Sequence, residues 1–427
     1  MKIGVQTWGS EGDIRPFLAL AGGLRAKGHD VSLVITSVDN KDYTSYANEP
    51  GFRVSHVGRL DYDDATIRRF ETRIIKATNP LRQIELIMEY FFDPVIPEMF
   101  GAAERLCAEN DAIIGHFAHF PVQTAAEKAG KPHATVMLNH LGVYSRYSRI
   151  SGVPNLGTWM NPLWNRLFQF VIDRSIGVKV NALRKKAGLP LVTRIAESVW
   201  ISKRLNLIAE SSVIGVRQPD WPGYHHVCGA FALPEAAEPW AMPDDLERFM
   251  KAGPPPIFMT LGSMFSFDMD PAETTDLLVQ GALQAGCRAI VQSRWNELRG
   301  FPDHPEIYRI QNAPHQHIFP LCAAVVHHGG AGTTHSATRS GCPSIVIEHI
   351  ADQGFFAGEL HSLGVAPKAL HRRSVTAGKL ARAIRDVLDD PGMKMRAEAL
   401  GERMRKENGV RTAVELVEKY LFSCTIL

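Results

Sequence analysis

The sequence lacks the features that mark several protein classes. Its six cysteines, spread over 427 residues, include no C-x-x-C pair, so neither a zinc site nor a disulfide framework is indicated and a reducing compartment fits. No window approaches ~18 uncharged apolar residues, and the N-terminal apolar stretch is shorter than the apolar region of a signal peptide. We therefore expect a cytoplasmic protein that is mature from Met1.

A strong charge of either sign is also missing. The chain has 47 basic and 45 acidic residues, which give a net charge of +2 and argue against a nucleic-acid groove. The stretch from Lys394 to Lys406 is basic, but Glu398, Glu402 and Glu407 interrupt it, which favours a solvated helix face. We expect no nucleic-acid partner and at most a peripheral contact with membranes.

The length and the order of apolar runs predict two α/β domains with doubly wound parallel sheets. The strand Lys2–Thr7 is followed by a Gly-rich turn, a helix with Pro16 in its first turn and another apolar run, which together form a βαβ unit. Six prolines between Leu233 and Pro256 are predicted to interrupt any regular element. The predicted parts are a first domain at 1–235, a linker at 236–255, a second domain at 256–405 and a terminal helix at 406–427.

Two long helical insertions in the first half, 61–105 and 141–185, are too long to be simple crossovers. Packing between helix and sheet is one interpretation of their apolar residues. The other is that they line an apolar acceptor pocket. The residues concerned are Met88, Tyr90, Phe91, Phe92, Phe100, Tyr144, Tyr147, Trp159 and Trp164.

The strongest motif is AAVVHHGGAGTTHSA, from Ala323 to Ala337, in which a buried strand ends in two histidines and a Gly-rich turn opens a helix. Glycines let backbone N–H groups face a phosphate at a helix N-terminus, and an imidazole can donate to an oxyanion. A purely structural turn is the alternative. The spacing fits neither the G-x-G-x-x-G fingerprint nor a P-loop, so neither a dinucleotide nor an ATP site is indicated.

From Asn312 to Ala357 the chain resembles the nucleotide-sugar signature of UDP-glycosyltransferases with the GT-B architecture. The resemblance is greatest to sterol glucosyltransferases and bacterial natural-product glycosyltransferases. The matching residues are Pro314-His315, Phe319-Pro320, His327 to Thr333, Gly341-x-Pro343 and Asp352-Gln353, and Gly9 to Phe17 is similar to the N-terminal motif of that group. The resemblance implies two facing Rossmann-like domains with chemistry in the cleft between them. The first would bind the acceptor, the second would bind the nucleotide sugar, and the terminal helix at 406–427 would pack back on the first domain.

The same resemblance implies a role for each donor-binding residue. His327 would contact the α-phosphate, and the turn of Gly330, Ala331, Gly332 and Thr333 would hold the diphosphate. Ser263 would contact the β-phosphate, Ala313 would meet the base through its backbone, and Trp295 would stack on the base unless it is a packing residue. Asp352 and Gln353 would bind the sugar hydroxyls, although Glu348 stands where the family often has proline. Gly12, in the N-terminal motif, completes the predicted donor contacts.

Transfer to a hydroxyl requires a general base, and Asp13 is the candidate because it follows the first strand, in the turn before a helix. A role as a helix N-cap is the alternative. A carboxylate with a pKa near ~4 needs assistance at neutral pH, and His116, after the strand Ala112–Ile114, is the proposed partner. In plant relatives of the family that the chain resembles, a histidine at the position of Asp13 pairs with an aspartate near the position of His116, so the resemblance implies a pair of reversed order. His119 is its rival.

We therefore expect an inverting glycosyltransferase that moves a hexose, with glucose from UDP-glucose as the first choice, to a hydroxyl of an apolar small molecule. The acceptor could be a sterol, a triterpenoid, a flavonoid or a macrolide, and the nucleotide of the donor could be UDP or TDP. The rivals are a nucleotide-sugar epimerase or hydrolase of the same fold and a non-catalytic nucleotide-sugar or lipid-binding protein. Two D-x-D strings, at Asp61-x-Asp63 and Asp268-x-Asp270, are attributed to chance, so no metal and no cofactor beyond the donor are expected.

Overall fold

The computed structural model describes residues 1–48, 51–77, 80–148, 157–234, 240–261, 271–292, 304–349 and 353–422. The chain divides into two compact units. The first comprises Met1–Thr66, Ile84–Pro234 and Glu407–Leu427, and the second comprises Ile67–Gln83 and Glu235–Lys406. Each unit therefore combines segments that are distant in sequence.

The first unit contains a seven-stranded sheet in the order β3-β2-β1-β4-β5-β6-β7, and all its strand pairs are parallel. Seven of the eight residues of the first strand are buried, as expected for a parallel strand covered by helices on both faces. The strands are β1 (Lys2–Gly9), β2 (Asp30–Ser37), β3 (Arg53–His56), β4 (Ala112–His116), β5 (His133–Met137), β6 (Asn206–Ile208) and β7 (His225–Val227).

The second unit contains a six-stranded parallel sheet in the order β10-β9-β8-β11-β12-β13. The strands are β8 (Ile257–Thr260), β9 (Ala289–Gln292), β10 (Ile307–Ile310), β11 (Ala324–His327), β12 (Ser344–Glu348) and β13 (Leu370–His371). The two sheets confirm the prediction of two doubly wound α/β domains.

The helices connect successive strands and cover the sheets. In chain order they are α1 (Glu11–Ala26), α2 (Asp64–Lys76), α3 (Pro80–Ile87), α4 (Ile96–Glu109), α5 (Phe120–Lys128), α6 (Asn161–Ser175), α7 (Gly177–Lys186), α8 (Ile195–Ser198), α9 (Asp244–Lys251), α10 (Pro271–Ala285), α11 (His315–Ile318), α12 (Ala331–Arg339), α13 (Gln353–Ser362), α14 (Ala377–Leu388), α15 (Pro391–Arg405) and α16 (Gly409–Val417). In the part of the chain that the structure describes, no helix is long and apolar enough to cross a membrane.

The C-terminal helix α16 contributes to the core of the first unit. Its buried Ala413, Val414 and Val417 belong to the same apolar cluster as Phe17 and Leu20 of α1. The last residues of the chain that are described thus help to hold in place the helix that carries Asp13.

The first helix begins earlier than the sequence indicates. It starts at Glu11, so Pro16 lies in its second turn rather than its first, and Asp13 lies inside the helix rather than in the turn before it. The reason is a capping arrangement between Ser10 and Asp13, which fixes the helix start five residues before the proline.

The sequence suggested that the prolines between Leu233 and Pro256 interrupt any regular element, and this prediction is wrong. The eight-residue helix α9 lies among them, with Asp244, Asp245 and Glu247 in its first turn and Arg248 and Lys251 in its last turn. Acidic residues near the N-terminus and basic residues near the C-terminus favour a helix by opposing its dipole. The prolines flank this helix and do not enter it, because Pro243 occupies the position just before it.

Candidate active-site residues

In the first unit, Asp13 is held at the carboxyl end of the sheet by the residue that caps its helix. The backbone N–H and the hydroxyl of Ser10 both donate to Oδ2 of Asp13, at 2.8 and 2.9 Å. The carboxylate is half-buried, and its other oxygen, Oδ1, accepts no hydrogen bond from any described residue. Asp13 therefore combines a capping role with an oxygen that is available to a ligand.

The approach of β1 to Asp13 requires a glycine at position 9. Gly9 has φ of +135°, and a Cβ added there would lie 2.4 Å from Oδ2 of Asp13. Gly12, which the sequence linked to the donor, is exposed in the first turn of α1, and a Cβ there would come no closer than 3.7 Å to Ser10. Of these two glycines, Gly9 is therefore the one that the turn requires for steric reasons.

His116 is brought to the same edge of the sheet because β4, which it ends, lies beside β1. Burial lowers the pKa of His116, while the charge of Asp13 raises it, so the two groups are close enough to interact. Nδ1 of His116 is buried without a hydrogen-bond partner among the described residues. The structure therefore places Asp13 and His116 at the same edge of the sheet, without a hydrogen bond between their side chains.

His119, the alternative partner for Asp13, has a structural role. It is the N-cap of α5, where its Nδ1 accepts from the backbone N–H of Val122 at 3.3 Å. The side chain is fully buried, and burial lowers its pKa to about 3. The neighbouring side chain whose charge acts on it is His116. His116 is thus the better placed of the two histidines to assist Asp13.

A second histidine–carboxylate pair escaped the sequence analysis. Nδ1 of His140 lies 2.7 Å from Oε2 of Glu210, and both side chains are buried. The two residues follow the neighbouring strands β5 and β6, so they lie at the same carboxyl edge as His116. The sequence signal for this pair is a polar residue within three positions after a strand. It was missed for Glu210 because the sequence analysis did not recognise the three-residue strand β6.

The apolar residues predicted to line an acceptor pocket differ in exposure, and three of them, Phe91, Phe100 and Trp164, are partly buried. Met88, Tyr90 and Phe92 are buried, and Met88 and Phe92 pack in one cluster with Trp8 and Phe120. The exposed group consists of Tyr144, Tyr147 and Trp159. The packing interpretation therefore holds for the buried residues, and the other six remain at least partly accessible.

In the second unit, the Gly-rich turn connects β11 to α12. Residues 331–333 open the helix, and none of their backbone N–H groups donates to a described residue. The first turn contains no acidic residue, and a Cβ added at Gly332 would meet no atom within 4 Å. Free N–H groups and the positive end of the helix dipole favour an anion in this open space.

His327, the last residue of β11, presents a single donor at this turn. The backbone N–H of Gly329 donates to its Nδ1 at 3.1 Å, so the proton of the neutral ring is on Nε2. Burial, and then His328 and His315, lower the pKa of His327 to about 3, which keeps the ring neutral. Nε2 is buried and has no acceptor among the described residues. A phosphate oxygen would satisfy this N–H.

His328 lies directly over the turn. A Cβ added at Gly330 would be 2.3 Å from Nε2 of His328, so only a glycine leaves room for this ring. Burial lowers the pKa of His328 to about 4. The turn therefore carries two neutral imidazoles in sequence, which could donate hydrogen bonds to a diphosphate without a compensating positive charge.

Gln353, predicted to bind the donor sugar, is the first residue of α13 and is buried. Its Oε1 accepts from the backbone N–H of His349 at 2.7 Å, so this oxygen shapes the loop that follows β12. Both ring nitrogens of His349 are buried and have no partner among the described residues. Burial, and then Arg372, His328 and His371, lower the pKa of His349 to about 3. The sequence analysis missed His349, although it lies one residue after a buried strand.

Ala313, predicted to meet the base, lies between β10 and α11, and its side chain is buried in a cluster with Phe258 and Phe319. Its backbone N–H and C=O make no hydrogen bond with a described residue, so both are available to a base edge. Ser263, Trp295 and Asp352 lie outside the described residues. The predictions for these three residues stay open.

The two D-x-D strings give no sign of a metal site in the part that is described. Asp61 accepts from Nε of Arg59 at 2.9 Å, and Asp63 accepts from the backbone N–H of Thr66 at 2.8 Å. Asp268 and Asp270 lie outside the described residues. Among the residues that are described, no group of three or more histidine, cysteine or acidic side chains is placed to hold a metal ion.

Comparison with known proteins extends these observations. Residues 285–419 match the family described as "Erythromycin biosynthesis protein CIII-like, C-terminal domain". The chain is 28% identical to O-mycaminosyltylonolide 6-deoxyallosyltransferase from Streptomyces fradiae, over 98% of this chain and 97% of that protein. It is 28% identical to sterol 3-beta-glucosyltransferase from Emericella nidulans, over 100% of this chain but only 30% of that longer protein.

Solved structures share the fold. The glycosyltransferase of kitacinnamycin has a TM-score of 0.71 at 18% identity, covering 98% of this chain and 99% of that one. The glycosyltransferase VinC, in complex with dTDP, has a TM-score of 0.64 at 19% identity, covering 98% of this chain and 99% of that one. The chain has the two-domain fold of GT-B glycosyltransferases, and it is similar along its whole length to a deoxyallosyltransferase and to sterol glucosyltransferases.

Proposed function

We propose that this protein is a glycosyltransferase that inverts the anomeric centre and moves a hexose from a nucleotide diphosphate sugar to a hydroxyl of an apolar small molecule. The observation that carries the proposal is the turn before α12. There, a buried Nε2–H of His327 and three backbone N–H groups have no acceptor among the described residues. A diphosphate supplies the acceptors that these donors need.

In the proposed reaction, the acceptor hydroxyl attacks the anomeric carbon from the face opposite the diphosphate and loses its proton to the carboxylate of Asp13. The new O–C bond forms as the bond between the anomeric carbon and the phosphate oxygen breaks. The diphosphate leaves with the bonding electrons and is stabilised by His327 and the N–H groups at the start of α12. Attack from the opposite face converts an α-linked donor into a β-glycoside.

His116 is proposed to assist Asp13, whose charge acts on it. Ala313 is proposed to meet the base and Gln353 the sugar. Three further contacts are proposed on the resemblance alone. Ser263 would contact the β-phosphate, Trp295 would stack on the base, and Asp352 would bind the sugar. We infer that no divalent ion is needed, because protein N–H groups already face the position of the diphosphate charge. Loss of turnover in EDTA with recovery in manganese would contradict this inference.

The donor is proposed to be UDP-glucose or a TDP-linked hexose. Sterol glucosyltransferases among the relatives favour glucose, whereas the deoxyallosyltransferase and the dTDP complex of VinC favour a deoxy sugar on TDP. The acceptor is proposed to be apolar, in keeping with the sterol named for the fungal relatives.

A donor-by-acceptor screen with mass-spectrometric detection tests the proposal. UDP-glucose and TDP-glucose are each paired with sterols, triterpenoids, flavonoids and macrolides. The expected result is a product heavier than the acceptor by one hexose. Consumption of the donor without any acceptor would identify a hydrolase or epimerase instead. Tight nucleotide binding without turnover over the whole panel would identify a non-catalytic binding protein.

A further inference from the structure

The helices α6 and α7 of the first unit carry an unusual exposed face. Five large apolar side chains on or just before these helices are exposed: Trp159 by 78%, Leu163 by 56%, Leu167 by 50%, Phe170 by 61% and Val178 by 73%. Leu163, Leu167 and Phe170 recur every three or four residues, which places them along one side of α6, while Trp159 lies just before α6 and Val178 lies at the start of α7. We call these five residues the α6–α7 stripe.

The stripe is not the core face of these helices. Ile172, Ile176, Val180 and Leu183 cover the opposite side and are buried in the cluster that contains Trp8 and Phe120. The two helices are thus apolar on both sides, with one side packed and the other in solvent. A contiguous exposed apolar strip of this kind marks a binding surface.

The charge around the stripe indicates its partner. Residues 159–186 contain six basic side chains and one acidic side chain, a local net charge of +5 in a chain whose total is +2. Arg166 and Arg174 are exposed between the apolar positions, and Lys185 and Lys186 are exposed at the end of α7. None of these four makes an ion pair with a described residue.

The other charges of the region are already paired. Lys179 contacts Asp93, and Arg184 lies 2.6 Å from Glu127. The carboxylate of Asp173 accepts the backbone N–H groups of Arg194 and Ile195, at 3.1 and 2.7 Å. Glu85 receives a hydrogen bond from Ser175 at 3.4 Å. The four exposed cations are therefore not neutralised by these acidic groups.

We propose that the α6–α7 stripe docks the first unit on the surface of an anionic phospholipid bilayer. Apolar side chains with interleaved arginines match an interface in which rings and aliphatic groups enter the acyl boundary while cations meet lipid phosphates. A second copy of this chain fits less well, since a symmetric contact would place the same unpaired cations opposite one another. The proposal stands independently of the proposed function; if the acceptor is an apolar lipid, docking would also bring the enzyme to its substrate.

Co-sedimentation with vesicles tests the proposal on the full-length chain. The vesicles are phosphatidylcholine alone and phosphatidylcholine mixed with phosphatidylglycerol. We expect binding to the mixed vesicles that weakens as salt is added. The charge variant Arg166→Gln with Arg174→Gln should lower the partition coefficient about 25-fold, since each cation near an anionic surface contributes roughly fivefold. The apolar variant Trp159→Ser with Phe170→Ser should lower it at least about 10-fold.

Matched controls lie in the second unit. Leu388→Ser with Met395→Ser removes two exposed apolar groups, and Arg382→Gln with Arg403→Gln removes two exposed cations. These four substitutions should leave vesicle binding unchanged, and thermal unfolding should show that all variants are folded. Absence of binding by the wild type, or equal losses in control and stripe variants, would overturn the proposal. A wild-type dimer in solution that the apolar stripe variant converts to a monomer would assign the stripe to a second copy instead.

Discussion

The two ring nitrogens of His327 have different roles, and two substitutions allow each role to be tested separately. Nδ1 accepts the N–H of Gly329 at 3.1 Å and so supports the turn, whereas Nε2–H has no acceptor among the described residues. His327→Asn places an amide oxygen near the position of Nδ1 but offers nothing at Nε2. His327→Gln places an amide nitrogen near the position of Nε2 but removes the acceptor for Gly329.

The size of each effect follows from the hydrogen bond that is lost. A hydrogen bond to a charged group contributes about 1.5–3 kcal/mol, so His327→Asn should weaken UDP binding about 10- to 150-fold. The Asn variant should keep most of its stability without nucleotide. His327→Gln leaves the buried N–H of Gly329 without an acceptor and should lower the free energy of unfolding by about 1–3 kcal/mol. The Gln variant should bind UDP more tightly than the Asn variant.

Isothermal titration with UDP and with dTDP measures the binding of each variant, and chemical denaturation without nucleotide measures its stability. Because burial keeps His327 neutral, with a pKa of about 3, its contribution to nucleotide binding should be the same at pH 6 and pH 8. Nucleotide binding by His327→Asn at wild-type strength would refute the assignment of Nε2 to the diphosphate. Equal losses of binding in both variants would show that His327 acts only through the shape of the turn.

Three further predictions concern the base, its turn and acid stability. Asp13→Asn should keep the fold but lower kcat about 100- to 10,000-fold, the usual contribution of a general base, as measured by product formation at saturating donor. Gly9→Ala forces a Cβ to 2.4 Å from Oδ2 of Asp13 at a φ of +135°, so it should lower both the melting temperature and kcat, with a strain of about 1–3 kcal/mol. Buried imidazoles with folded pKa values below the ordinary 6.5 take up protons on unfolding, so calorimetry should show stability lost as the pH falls from about 6.5 towards 4. The residues concerned are His119, His225, His327, His328 and His349, with pKa values of about 3, 4, 3, 4 and 3.

Wild-type turnover in Asp13→Asn would remove this residue from the chemistry. A Gly9→Ala variant with normal melting and normal kcat would show that the turn relaxes around the added methyl group. A melting temperature that does not change between pH 7 and pH 5 would contradict the lowered pKa values of the buried histidines.

The strands and the glycine turn could be predicted because their signals are local. A buried parallel strand such as β11 is a short apolar run, and the turn that follows it is marked by its glycines. The predicted start of the first helix was wrong because Pro16 was taken as a first-turn residue, although Ser10 and Asp13 already have the spacing of a capping pair. The proline is accommodated because Gly12, whose carbonyl would otherwise receive its missing N–H, is exposed to solvent.

Other features depend on residues that are distant along the chain. His140 and Glu210 are 70 residues apart, and only the neighbouring positions of β5 and β6 bring them to 2.7 Å. The proximity of Asp13 and His116 could be proposed beforehand because a family resemblance supplied the pairing, not because the residues themselves indicated it. The exposed α6–α7 stripe was partly visible as apolar residues in a long insertion, but their burial could not be inferred since both sides of the helices are apolar.

A crystal structure of the protein with UDP tests the central claim most directly. We predict that the diphosphate occupies the turn before α12, with its oxygens within hydrogen-bond distance of Nε2 of His327 and of the N–H groups of residues 331–333. A diphosphate bound elsewhere, with Nε2 of His327 still lacking an acceptor, would contradict the assignment of this turn to the donor.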